Sequence, residues 1–227
     1  MCGRKTLTKS KLDIIRDLSI DQWDDLIDYK PSYNIAPTHQ HPIIIQEKEK
    51  RIIKQMKWGL IPSWSKDESF ASNMINARQE TLSEKSSFKD LVNSQRCLIP
   101  IEGYYEWKII NGQKQPYYIF TQNNDLFCLL GLWSRWKNSL GNIIESYTVI
   151  TTNADNQLNH IHHRMPVFQK NNMDNWLNTS LEYQSFDFNN INSELEYYPV
   201  STFVNSVKNN SDRCIMEAQI SQQKSLF

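Results

Sequence analysis

Net charge is the first thing this chain lacks: 25 basic and 25 acidic side chains cancel across 227 residues. No global field draws it onto a polyanion, so any contact with nucleic acid has to be made by local groups. Long apolar runs are missing too. None approaches the length of a bilayer span, and the opening MCGRKTLTKS lacks the apolar stretch of a secretory signal. The expectation is a cytoplasmic protein with no membrane partner. Paired cysteines are also absent. Cys2, Cys97, Cys128 and Cys214 are scattered without a CxxC, against both a zinc knuckle and a disulfide framework and in favour of reduced thiols. No internal repeat is visible.

What is present suffices for one core, since 39% of the residues are hydrophobic. KSKLDIIRDL predicts a first helix packed on a sheet, with Ser10 as cap and Leu12, Ile15 and Leu18 at helical spacing. HPIIIQEKEKRIIKQMKWGLIP reads as a hairpin, two β-branched runs around a short charged stretch. RCLIPIEGYYEWKIINGQKQPYYIFTQNNDLFCLLGLWSRW predicts several short strands punctuated by Asn111-Gly112, Asn123-Asn124 and Gly131. ESYTVITTNA adds another. Helical stretches are expected around Gln79 to Val92, around Asp155 to His160, and in NNMDNWLNTS, where Asp174 and Trp176 suit a short amphipathic turn. SDRCIMEAQISQQKSLF reads as a final strand and a loose tail. The sum is an α+β single domain, residues 1–215, with curved, mainly antiparallel β-sheets, a barrel-like core and peripheral short helices. A flexible C-terminal tail, residues 216–227, follows, and a monomer is expected.

The second residue carries the most specific chemistry. A small side chain there normally permits removal of Met1, which leaves Cys2 with a thiol and a free α-amine on adjacent carbons. Such a 1,2-aminothiol condenses with an aldehyde: the amine forms an imine, and the thiol closes on the imine carbon to give a thiazolidine. The α-amine has a reference pKa of about 7.7 to 8.0 against about 10.4 for lysine, so far more of it is free base near neutrality. The thiol, at about 8.5, needs a neighbouring base or cation, for which Arg4 is a candidate. Against this stands the ordinary behaviour of free cysteine as a small buried hydrophobe.

Other residues admit two readings each. Glu106 lies between Tyr105 and Trp107 in a strand-like run, so it projects from the face opposite to both rings. It is then either a solvent-facing strand glutamate or a partly desolvated proton carrier with a raised pKa. His162 is a surface histidine in a polar turn or an acid–base group; HIHH also invites a metal, but no carboxylate or cysteine cluster completes a ligand set in sequence, so no metal is expected. Asn76 suits a helix cap. Trp58 and Trp107 fit a core, whereas Trp64 follows Pro62-Ser63 in a loop-like setting suited to stacking on a base.

MCGR, SYNIAP, KWGLIPSW, MINARQET, RCLIPIEGYYEW, TTNA, HIHHRMPV and PVSTFVNSVKNN follow one another in an order that resembles the SOS-response-associated peptidase family, over Met1 to about Ile215. The resemblance implies processing of abasic sites in single-stranded DNA without a cofactor. It implies that Cys2 forms a thiazolidine crosslink, that Asn76 holds the reacting end, that Glu106 moves protons, that His162 assists, and that Arg4, Arg78 and Arg164 meet phosphates. It further implies a chain that removes its own first residue. Two positions depart from the family pattern: His163 stands where an acidic residue is more usual, and Glu102-Gly103 where many members have Ala-Asp. The extra histidine leaves the assignment among His160, His162 and His163 open.

Two other functional classes fit parts of the sequence. Class II glutamine amidotransferases also begin Met-Cys-Gly, which would make Cys2 an amide-attacking nucleophile. A non-catalytic single-stranded DNA-binding module would leave Cys2 incidental. At the far end, QKSLF looks like the short peptides with which bacterial DNA-maintenance proteins dock on the sliding clamp, Gln223 giving polar placement and Leu226 and Phe227 filling an apolar pocket.

Overall fold

The computed structural model describes residues 2–24, 27–123, 125–169, 173–186, 188 and 195–219. The strands in the first half are β1 (Arg4–Leu7), β2 (Gln22–Trp23), β3 (Ser32–Ile35), β4 (Gln40–Glu47), β5 (Lys50–Trp58), β6 (Asn76–Arg78) and β7 (Arg96–Ile101). In the second half they are β8 (Gly103–Ile110), β9 (Gln113–Thr121), β10 (Phe127–Lys137), β11 (Ile143–Asn153), β12 (Arg164–Pro166), β13 (Phe168–Gln169) and β14 (Leu195–Pro199). Two short α-helices, α1 (Lys11–Asp17) and α2 (Met173–Leu177), lie between them.

The order β11–β10–β7–β4–β5 closes on itself because β5 pairs with β11, Lys57 and Trp58 lying opposite Ser146 and Tyr147. That closure makes a five-stranded barrel, antiparallel except at the β5–β11 seam, and removes the exposed edges that an open sheet would present. A second sheet, ordered β14–β9–β8–β1–β3, is antiparallel throughout. One face of it joins the main core through Leu7, Tyr104 and Ile119, and the other carries a smaller cluster with Tyr105, Tyr118, Val204 and Cys214. The α+β architecture with a barrel-like core is as the residue pattern predicts.

The β4–β5 hairpin forms as expected, turning through Lys48 and Glu49 at positive φ, and Asn111-Gly112 makes the same kind of turn between β8 and β9. Gly103 is required where it stands: a Cβ there would lie 2.4 Å from the Tyr118 ring. Ser10 caps α1, accepting from the Asp13 N–H at 3.1 Å. The buried face of α1 differs from expectation. Ile14 and Leu18 point inward while Leu12 is 76% exposed, so the inward stripe is the i, i+4 pair rather than the run beginning at Leu12.

Two further expectations change. Residues 79–92 form a 3-10 turn at Gln79–Thr81 and then linked turns instead of a continuous helix. Ser83, Ser86 and Ser87 within this run are weak helix formers, and burial of Leu82, Phe88 and Val92 sets the path. The final strand reduces to a 3-10 turn at Asp212–Cys214 and one bridge between Val200 and Glu217. Residues 155–160 make a single turn capped by Asp155. The clamp-like residues Gln223, Leu226 and Phe227 lie outside the described residues.

Candidate active site around Cys2

Strand β1 runs between β3 and β8, and the residue two positions before it, Cys2, is completely enclosed in the main core. Strand β6 sits parallel to β11 with Asn76 opposite Val149. From there the Asn76 Nδ2 donates to the Cys2 carbonyl oxygen at 3.0 Å, so Asn76 is a strand residue that grips the first turn of chain, not a helix cap.

On β8 the alternation holds. Tyr105 and Trp107 face the smaller cluster, donating to the Tyr33 carbonyl at 2.7 Å and to Asn205 Oδ1 at 2.8 Å. Glu106 therefore turns the other way, and at 4% exposure it is buried rather than solvent-facing. His162 comes from the turn after β11. Its Nδ1 lies against the Arg164 backbone, 2.9 Å from the N–H and 3.2 Å from the carbonyl oxygen, and the tautomer decides which of the two it bonds. The other two histidines of HIHH are exposed: His160 leans on the Tyr197 ring, and His163 stacks on His162 with centroids 4.3 Å apart.

The charges of these groups act on one another. Burial pushes the Cys2 thiol up to about 12, with the Glu106 charge adding to the rise and Lys5 and the Arg4 N–H opposing it. Burial lowers the His162 pKa below its ordinary value, against the pull of Glu106. Tyr104 is held well above the usual tyrosine range, first by burial and then by Cys2 and Glu106. Cys2, Asn76, Glu106 and His162 thus come together in one cluster. Two buried polar atoms within it, Asn76 Oδ1 and Tyr104 Oη, have no hydrogen-bond partner among the described residues.

The arginines do not share that setting. Arg4 donates to Asn34 Oδ1 and to the Val204 carbonyl, both at 2.7 Å, and to the Asn205 carbonyl at 3.0 Å. Arg164 is 6% exposed and pairs with both Glu80 oxygens, at 2.5 and 2.9 Å, while also donating to Asn153 Oδ1 and the Thr151 carbonyl. Arg78, at the end of β6, is exposed. Trp64 is 53% exposed and meets the edge of Phe70. Among the described residues no group of three or more His, Cys, Asp and Glu side chains is arranged to hold a metal, and no helix is long and apolar enough to cross a membrane.

The family described as SOS response associated peptidase matches residues 1–207 of this chain. The chain belongs to the SOS response associated peptidase family. Among relatives, the abasic site processing protein YoqW of Bacillus subtilis is 41% identical over 225 residues, covering 95% of this chain and 99% of its own. The abasic site processing protein HMCES of Gallus gallus is 29% identical, covering 86% of this chain and 69% of its own. A solved structure from Bacteroides thetaiotaomicron superposes with a TM-score of 0.81 at 25% identity, over 96% of this chain and all of that one.

Against the pattern of this family, Glu102, one of the departing residues, serves the fold. It accepts from the Thr8 hydroxyl at 2.8 Å and the Lys9 N–H at 3.1 Å, tying the end of β1 to the start of α1. Two residues escape a reading of the letters. Asn34 of SYNIAP is 1% exposed, and its Nδ2 donates to the carbonyls of Val204, Ser206 and Asn209, which joins two family motifs far apart in sequence. Lys5 is fully enclosed, and it, rather than the Arg4 side chain, is the cation whose charge acts on the Cys2 thiol. Its place in strand parity with Leu7 was the available signal, masked by the habit of lysine to reach water.

Proposed function

We propose that this chain processes abasic sites in single-stranded DNA by forming a covalent thiazolidine crosslink through Cys2 once Met1 has been removed. The supporting observation is the grip of Asn76 on the Cys2 carbonyl beside Glu106 and His162. Cleavage of the Met1–Cys2 bond converts the Cys2 nitrogen from an amide, which is not nucleophilic, into an amine that is. Asn76 then holds the new terminus in place, which removes the freedom that would otherwise oppose reaction.

The open-chain sugar presents its C1′ aldehyde. The Cys2 amine adds to that carbon, water leaves as the carbonyl oxygen is protonated, and the sulfur closes on the resulting imine. Glu106 and His162 are suited to carry the protons for ring opening and dehydration: one is a buried carboxyl, the other an imidazole whose Nδ1 is held against the Arg164 backbone. Arg78 is the exposed arginine for phosphate contact and Trp64 the exposed ring for a base. The guanidinium groups of Arg4 and Arg164 already carry protein acceptors, so their phosphate contact is made only by donors left over. The relatives named abasic site processing proteins support this reading. Shielding of the lesion, removal of Met1 by the chain itself, a cytoplasmic monomer associated with DNA, and docking of Gln223, Leu226 and Phe227 on the sliding clamp belong to the same proposal.

Intact-protein mass spectrometry after incubation with a single-stranded oligonucleotide carrying one abasic site tests it. The expected product lacks Met1 and carries one oligonucleotide without borohydride, and Cys2→Ala carries none. Covalent capture by Cys2→Ala at the wild-type rate, or glutamine hydrolysis without any adduct, would overturn the proposal, the latter in favour of an amidohydrolase.

A further inference from the structure

The chemistry above leaves one buried amine unused. Lys5 lies wholly inside the protein, its Nζ 3.4 Å from the centre of the Trp58 ring and 4.7 Å from that of Tyr147. Its hydrogen bond is to Tyr147 Oη, at 2.8 Å, and no carboxylate pairs with it among the described residues. A buried cation without a counter-ion is costly, and aromatic faces offset only part of that cost. The ionisable groups that face it are the thiols of Cys2 and of Cys97 on β7, His41 on β4 and Tyr147 on β11. Burial, with the charge of Lys5 second, holds His41 well below its ordinary pKa, and burial lifts Cys97 and Tyr147 well above theirs.

Lys5 and Cys2 act on each other's charge, and the residues that hold them lie on paired strands. Tyr147, which holds the Lys5 amine, and Val149 lie two residues apart on one face of β11. Val149 pairs with Asn76, whose amide holds Cys2. The anchor of Lys5 thus stands on β11, and that of Cys2 stands on β6 opposite the next residue of the same β11 face.

We propose that Lys5 is the internal base for the Cys2 thiol, its neutral amine drawing the proton as the sulfur closes on the imine carbon. The inference rests on the crosslinking reading. The imine reaches this step protonated, as dehydration leaves it; the C–S bond forms, the C=N π pair returns to that nitrogen to give the neutral ring amine, and the thiol proton ends on Nζ, where the Trp58 face and Tyr147 Oη stabilise the ammonium. Two properties suit the pairing. A thiol pushed up to about 12 yields thiolate on the order of once in 10⁵ molecules at neutrality, so the proton must leave as the bond forms. Burial lowers Lys5 to about 7, which leaves the amine substantially neutral there.

The test separates imine from ring. Wild type, Lys5→Met and Tyr147→Phe are mixed with an abasic oligonucleotide between pH 5.5 and 9. Total imine is trapped with borohydride, and ring closure is followed by mass spectrometry as borohydride-independent adduct. Wild-type closure should rise through about pH 7 and level off. Lys5→Met should form imine at the wild-type rate but close it about 10²-fold more slowly, without that rise. Tyr147→Phe, which keeps the amine but removes an oxygen that favours its charged form, should move the rise to lower pH with the plateau retained. An adduct in wild type with the same closure profile in folded Lys5→Met, or in Tyr147→Phe should Lys5→Met not fold, overturns the role of Lys5 alone. No adduct in wild type at any pH overturns the crosslinking reading and this inference with it.

Discussion

Asn34 and Asn76 are both asparagines on strands beside the start of the chain, and they differ in how fully their amides are occupied. Asn34 is a closed hub: three carbonyls accept from its Nδ2 and Arg4 donates to its Oδ1. Asn76 makes one bond, to the Cys2 carbonyl, and its Oδ1 is buried without a partner among the described residues. The same contrast separates sequence neighbours, since Arg4 is tied to three acceptors while Lys5 bonds to one hydroxyl. Buried polar atoms are normally satisfied, and those left bare cost stability. The amide that joins the sheet to the C-terminal segment is thus used at both ends, and the one beside Cys2 keeps an open acceptor among the described residues.

The largest effect should come from breaking the closed hub. Asn34→Ala removes four hydrogen bonds of one buried amide at once, one from Arg4 and three to carbonyls, and we expect a loss of about 3 kcal/mol or more of stability, read by denaturant unfolding. Asn76→Ala removes one hydrogen bond and a bare oxygen, so it should cost about 1 kcal/mol or less while slowing adduct formation by about tenfold or more. If the two variants lose equal stability, the contrast fails.

Lys5 sharpens the comparison through pH. Its folded pKa is depressed from 10.5 to about 7, so above about 7 the unfolded chain holds more protons than the folded one. Stability contributed by this group therefore rises with pH from about 7, and below that value the buried ammonium weighs fully against folding. The stability of wild type minus that of Lys5→Met should accordingly increase between pH 7 and 9, and a flat difference would show an amine of ordinary basicity. The smallest structural effect belongs to Trp64→Ala. The ring is exposed, so stability should change by about 0.5 kcal/mol or less, while affinity for a single strand falls by about 1 kcal/mol in a filter-binding titration.

How much of this was legible in the letters depends on whether the signal was local. Period-two alternation sent Glu106 away from Tyr105 and Trp107, and the β4–β5 and β8–β9 turns carried their own markers. The barrel closure did not, because the β5–β11 seam joins residues nearly ninety positions apart by backbone bonds that no side-chain pattern announces. The helix over 79–92 failed for the opposite reason: apolar spacing was present, but tertiary burial of Leu82, Phe88 and Val92 was met by linked turns. Within the candidate site, the letters do not separate the three histidines of HIHH, whereas in the fold His162 is half-buried within reach of the Glu106 charge and His160 and His163 are exposed. The arginines looked interchangeable in sequence, and only the fold separates the half-buried Arg4 and the buried Arg164, both bonded to protein acceptors, from the exposed Arg78.

The central claim is that nitrogen and sulfur of one residue both bond to one sugar carbon. Carbon-13 spectroscopy of the purified adduct, made with an oligonucleotide labelled at C1′ of the abasic site, reads that carbon directly. The account predicts a tetrahedral C1′ coupled to the ¹⁵N of Cys2 and shifted as an N,S-acetal; a trigonal C=N carbon, or one bonded to a different residue's nitrogen, would contradict it.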